Sequence, residues 1–163
     1  MAEVIIDTNV AVVANRQNPR AVEECVDACS EFLAGAHADH IILLDQDDEI
    51  RGEYARALSM GRPYQLGAQF LIHVLQNQHG DRHVRLVRLA RDAAGDFVDF
   101  PKVAELARFD RSDRKFAALA RRTGVAVTNA TDSDWADSLP SLNANGIAVT
   151  FLCGCDKTKW FVA

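Results

Sequence analysis

Two aliphatic runs, VII at residues 4–6 and IILL at 41–44, each end on an aspartate (Asp7 and Asp45), and neither alternates with polar residues. A strand with one wet face alternates apolar and polar side chains. A run without alternation has to be covered on both faces, which is the condition of a strand in a parallel sheet flanked by helices. This feature narrows the fold more than any other.

The intervening segments carry helical spacing. After Pro19, the residues Ala21, Cys25, Ala28, Phe32 and Leu33 form one stripe that predicts a helix closing at Gly35. Ile50, Tyr54, Ala57 and Leu58 predict a second helix from about Asp47 to before Gly61, with Asp47 and Asp48 as first-turn acids. Leu66, Phe70, Val74 and Leu75 mark a third, spent by Gly80. Residues 83–91 fit a strand or a helix, and their β-branched content favours a strand. Helical pieces are expected at 103–108 and 112–122, the second closed by Gly124, and strands at 125–128 and 147–152. This order predicts one domain over residues 1–163, a three-layer α/β/α sandwich with a mainly parallel central sheet.

Composition limits the function classes. One quarter of the 163 residues are charged and nearly half are apolar, which excludes a disordered chain. No apolar run is long enough to span a membrane, and VIIDTNVAVVAN is broken by Asp7. The N-terminus lacks a basic region and cleavage site, so a cytoplasmic location is expected. A net charge of −5 does not suit a general nucleic-acid coat, although an acidic site whose charge a metal offsets is compatible with it.

The carboxylates carry the chemistry. In open parallel sheets ligands bind beyond the carboxyl ends of the strands, where Asp7 falls. Thr8 and Asn9 follow it and can orient it or cap a helix. Asp113 shares a helical face with Phe116, Ala117 and Ala120, and a carboxylate on an apolar stripe is costly unless paired or metal-bound. The plainer reading makes Asp113 a first-turn acid, with Asp110 and Ser112 as caps. Glu53 flanks the Ile50 and Tyr54 stripe, with Glu49 one turn earlier as its competitor. The strand VAVT delivers Asp132 or Asp134 to the same rim, whereas Asp137 reads as solvated or as a cap. Like charges on one rim repel, and a divalent cation held by oxygens, Mg²⁺ or Mn²⁺, compensates them.

Other side chains are less specific. Cys25 and Cys29 lie one helical turn apart, and Cys153 and Cys155 form C-x-C. Buried thiols fit this spacing better than a four-thiolate zinc site, and a cytoplasmic chain is not expected to form disulfides. Arg82, Arg85, Arg88 and Arg91, and Arg111, Arg114, Lys115, Arg121 and Arg122, read either as phosphate contacts or as solvated charges. Tyr54, Tyr64 and Trp135 are the candidate stacking aromatics, and the histidines read as surface or helix-end residues.

Taken in order, VIIDTNV, IRGEYARAL, FDRSDRKFAALA and VAVTNATDSDW resemble the PIN-domain family of small metal-dependent nucleases, and the match covers most of the chain. The resemblance implies the three-layer fold and metal-site roles for Asp7, Glu53 and Asp113, with Asp132 as fourth acid ahead of Asp134. One departure is that Asn129, Ala130 and Thr131 separate the strand from that fourth acid. The implied activity is a Mg²⁺- or Mn²⁺-dependent endoribonuclease acting on RNA, the toxin of a toxin–antitoxin pair, with an antitoxin protein and a second copy of the chain as partners. The alternatives are a catalytically incomplete PIN-like module that binds RNA or protein, and a different Mg²⁺-dependent phosphohydrolase using the same rim.

Overall fold

The structure, a computed structural model, describes residues 1–58 and 64–163. Five strands, β1 (Ala2–Ile6), β2 (His40–Asp45), β3 (Val84–Val87), β4 (Val127–Asn129) and β5 (Val149–Phe151), form one sheet in the order β3-β2-β1-β4-β5. Every pairing is parallel, with Val4 opposite Ile42, Ile6 opposite Thr128 and Asn129 opposite Phe151. Val4, Ile5 and Ile6 are all buried, as are Ile42, Leu43 and Leu44, so the unalternating runs do lie under cover on both faces.

Seven helices among the described residues complete three layers: α1 (Thr8–Ala14), α2 (Glu23–Asp39), α3 (Glu49–Ala57), α4 (Leu66–Asn77), α5 (Arg114–Thr123), α6 (Ser133–Asp137) and α7 (Leu139–Ala144). Helices α1, α2 and α4 pack on one another, α5 lies on β1, β2 and β4, and α3 touches both groups at the rim. No described helix is long and apolar enough to cross a membrane.

Several boundaries differ from those the sequence predicts. Helix α1 was not anticipated: its valines favour a strand locally, but Val10, Ala11, Val13 and Ala14 gain burial against the neighbouring helices. Helix α2 runs through Gly35 to Asp39, because burial of Leu33 and Ala36 outweighs one glycine. Helix α3 starts at Glu49, so Asp47 and Asp48 precede it. Its N-cap is Asp48, and the first helical amides, of Glu49 and Ile50, donate to the buried Asp45 carboxylate at 3.0 and 2.8 Å. The expected stop at Gly61 lies outside the described residues. Strand β3 ends at Val87, and the piece at 103–108 is a single 3₁₀ turn at Ala104–Leu106. Gly124 does close α5, at φ +74°.

The cysteines overturn an expectation. The end of β5 lies against the buried face of α2, and Cys25 and Cys153, with Cα atoms 4.9 Å apart, are joined by a disulfide. The C-terminal segment closes over the same helix start, where the Val22 amide donates to the Trp160 carbonyl at 2.9 Å and the Val162 amide to the Arg20 carbonyl at 2.8 Å.

Candidate metal centre

The sheet order reverses direction between β1 and β4, and the crevice beyond their carboxyl ends is the natural ligand site of such a sheet. Asp7 is the residue that leaves β1. Its amide donates to the Thr128 carbonyl at 3.0 Å, which ties the aspartate to β4. One carboxylate oxygen caps α1 by accepting from the Asn9 amide at 3.1 Å, and the other accepts from the Trp135 indole N–H at 2.6 Å. Asp7 is 3 % exposed.

Asp113 ends a 3₁₀ turn at Arg111–Asp113 and leads into α5, 6 % exposed. Asp132 caps α6, its carboxylate accepting from the Asp134 amide at 3.0 Å. The three carboxylates converge: Asp7, Asp113 and Asp132 each offer an oxygen within 4.8 Å of the others. A second set, Asp110, Asp113 and Asp134, meets the same distance, so Asp113 belongs to both.

Two asparagines, the half-buried Asn9 and the fully buried Asn129, build the loop that brings Asp132 in. The Asn9 side chain donates to Asn129 Oδ1 at 2.9 Å and accepts from the Ala130 and Thr131 amides at 2.8 and 2.9 Å. Asn129 then donates to the Asp132 carbonyl at 3.1 Å and accepts from the Asp132 amide at 3.3 Å. The residues that separate β4 from its acid are therefore a fixed turn rather than slack. No local pattern marks Asn129 for this role, although a fully buried asparagine needs partners of this kind.

The electrostatics follow from the geometry. Burial, and then the neighbouring charge of Asp132, push Asp7 up to about 7 against the lowering effect of the Asn9 and Trp135 hydrogen bonds. Burial, followed by the charges of Asp7 and Asp132, pushes Asp113 up to about 10. Contact with the Asp132 carboxyl and the charge of Asp110 push it in the same direction. Asp134 is raised as well, by burial first and by Asp132 second. Without a cation, the triad relieves its repulsion by holding protons.

Glu53 stands beside the triad rather than in it. Its charge reaches Asp7, but its oxygens accept from the Thr8 hydroxyl and from Lys115 Nζ, the latter at 3.0 Å. Lys115 is buried, contrary to its reading as a phosphate contact or a solvated charge, and its ammonium also donates to the Ser112 carbonyl. Glu49, the competing choice, pairs with Arg91 at the surface. Asp137 is exposed and pairs with Lys157.

The aromatic expectations also change. Trp135 and Tyr54 are fully buried, and the Tyr54 hydroxyl donates to the Ile6 carbonyl, so neither can stack a base. Tyr64 is the exposed one of the three. A cavity of about 460 Å³ opens alongside the Asp113 turn, lined among others by Phe97, Phe100, Lys102, Leu106, Arg111 and Arg114. Of the arginine series, Arg85 pairs with Glu3 at 2.8 Å.

The donor chemistry fits a hard divalent cation. Three carboxylates share a small space, and the Lys115 ammonium is engaged by Glu53. Compared with family models, with curated proteins and with solved structures, the chain matches none.

Proposed function

We propose that this chain is a divalent-metal-dependent endoribonuclease, with Mg²⁺ or Mn²⁺ held by Asp7, Asp113 and Asp132. The single observation that carries this reading is the meeting of three carboxylates from three separate elements at the switch point of the sheet. Such an arrangement is unfavourable for a folded chain unless a cation is bound.

When bound, such a cation supplies Lewis-acid activation of water and charge stabilisation on a phosphodiester. The protein's own part is to fix the donors. Trp135 and the Asn9 amide aim the Asp7 carboxylate, and the Asn9–Asn129 pair holds the Asp132 turn. Asp134 and Asp110 flank Asp113 on its outer side and offer oxygens for a second cation. Lys115 keeps Glu53 charge-compensated at the edge of the crevice. RNA as substrate, a toxin role with an antitoxin partner, self-association and a cytoplasmic location rest on the resemblance to PIN domains. Arg111 and Arg114, beside the Asp113 turn, suit contacts to phosphates.

The test is cleavage of single-stranded and structured RNA in Mn²⁺, with Asp7→Asn and Asp113→Asn. The proposal predicts that each substitution lowers the rate by about 10³-fold or more. Cleavage unchanged by both would refute it. One observation favours the alternative of a catalytically incomplete module: Lys115 and Thr8 occupy both oxygens of Glu53. Mn²⁺ binding with no cleavage of any RNA would support that reading instead.

A further inference from the structure

Between α2 and the end of β5, a group of sulfur ligand atoms stands apart from the proposed activity. Cys25, Cys29 and Cys153 place their sulfurs within 4.8 Å of one another. Cys25 and Cys29 occupy successive turns on the buried face of α2, and Cys153 comes from the end of β5. Two of the three form the disulfide, and the third, Cys29, is a free thiol with its Sγ 4.0 Å from Cys153 Sγ.

We propose that, once the Cys25–Cys153 bridge is reduced, Cys25, Cys29 and Cys153 form a three-thiolate site for a zinc-type divalent cation. The spacing fits. With Zn–S bonds of about 2.3 Å at tetrahedral angles, neighbouring sulfurs lie about 3.8 Å apart. The Cys29–Cys153 separation of 4.0 Å is close to that edge. The set contains no carboxylate and no imidazole, so its softness selects zinc over the magnesium-type cation that suits Asp7, Asp113 and Asp132. Cys155 is exposed and outside the group, so the chain supplies three sulfurs and not four. This differs from a site built on two cysteine pairs.

Cys29 is fully buried beside the bridge, so its sulfur is already held next to the two that reduction would free. The conversion balances with a dithiol as reductant. The Sγ–Sγ bond accepts two electrons and two protons to give two thiols, while the dithiol closes to its own disulfide. The cation then displaces the three thiol protons to solvent. In either state α2 stays clamped to the end of β5, where the Leu152 amide donates to the Asn129 carbonyl at 3.0 Å. Asn129 in turn holds the Asp132 turn, so the clamp supports the acidic rim.

The experiment is a Co²⁺ titration of the full chain reduced with a phosphine, reading the thiolate-to-cobalt charge-transfer band and its displacement by Zn²⁺. The proposal predicts one equivalent of tetrahedral cobalt–thiolate, lost at least tenfold in affinity with Cys29→Ser and with the less buried Cys153→Ser. Cys155→Ser should leave the band unchanged, and the oxidised chain should give none. A fully reduced, folded chain without the band would overturn the proposal, as would a band that needs Cys155 or survives Cys153→Ser. Carboxylate-bound cobalt gives no such band, so the outcome is independent of nuclease activity.

Discussion

Trp135 donates its indole N–H to the Asp7 carboxylate at 2.6 Å, across 128 residues of sequence, and both side chains are buried. The contact has two consequences. It fixes the direction in which the acid faces the crevice, and it opposes the upward push that burial exerts on Asp7. Trp135→Phe keeps an aromatic ring in the core but removes the donor. We expect a stability loss of about 2 kcal/mol from the lost bond and imperfect packing. Asp7 should titrate still higher, and Mn²⁺ affinity at pH 7 should drop severalfold. Denaturant melts and calorimetry check both, and unchanged Mn²⁺ affinity would show that the indole does not orient the donor.

The acid triad should destabilise the metal-free chain as pH rises. Asp7 and Asp113 hold protons in the folded state that the unfolded chain releases near the ordinary carboxylate value of 3.8. Their contribution is therefore fully present below about pH 4. It is lost as pH rises through about 7 for Asp7 and on toward about 10 for Asp113. At pH 8, Asp113→Asn should stabilise the metal-free protein by about 1–2 kcal/mol, raising Tm by about 3–6 °C. The same variant should lose the Mn²⁺-induced rise in Tm. A lower Tm for metal-free Asp113→Asn would contradict this account.

Lys115 and Glu53 make a largely buried pair at 3.0 Å, with side chains 9 % and 21 % exposed. Lys115→Met leaves the Glu53 carboxylate without its cation and should cost about 2–3 kcal/mol in metal-free protein. If the freed Glu53 turns to the bound metal, Mn²⁺ should recover more stability in this variant than in the native chain. Thermal melts with and without Mn²⁺ measure the difference.

A different group governs the acid side. The His37 and His73 rings stack with centroids 4.6 Å apart, and His83 meets His73 edge-on at 5.5 Å. His37 Nε2, His40 Nδ1, His73 Nε2 and His83 Nδ1 are buried without partners among the described residues. His37 in the last turn of α2 and His40 at its C-cap are helix-end residues as expected, and His79 is exposed, whereas His73 lies within α4. Burial lowers His37 and His73, and the neighbouring imidazoles lower His73 further. Their contribution is present above about 6.5 and lost as pH falls through the lowered folded values. His73→Phe should therefore lessen the loss of Tm between pH 6.5 and 5, in a comparison that leaves the carboxylates common to both proteins.

The sheet was legible because each buried strand declares itself by a run of aliphatic residues, as 4–6 and 41–44 do. Asp7 and Asp113 were legible for a related reason, since a carboxylate at the end of such a run or on an apolar stripe needs a partner. The partners themselves were not. Trp135, Lys115 and Asn129 act across contacts of high sequence separation or through burial that no local pattern encodes. Cys25 and Cys153, 128 residues apart, meet only once β5 has docked on α2. Helix α1 was hidden by its valines, whose local preference is for strands and whose burial comes from α2 and α4.

The most direct measurement is Mn²⁺ titration calorimetry at pH 7.5 in buffers of different ionisation enthalpy. Asp113, and in part Asp7, hold protons in the metal-free protein at this pH, so cation binding at the triad must expel them. The account predicts about one proton released per Mn²⁺ bound, and no comparable binding by Asp7→Asn or Asp113→Asn. Binding without proton release, undiminished in both variants, would place the cation elsewhere and contradict the central claim.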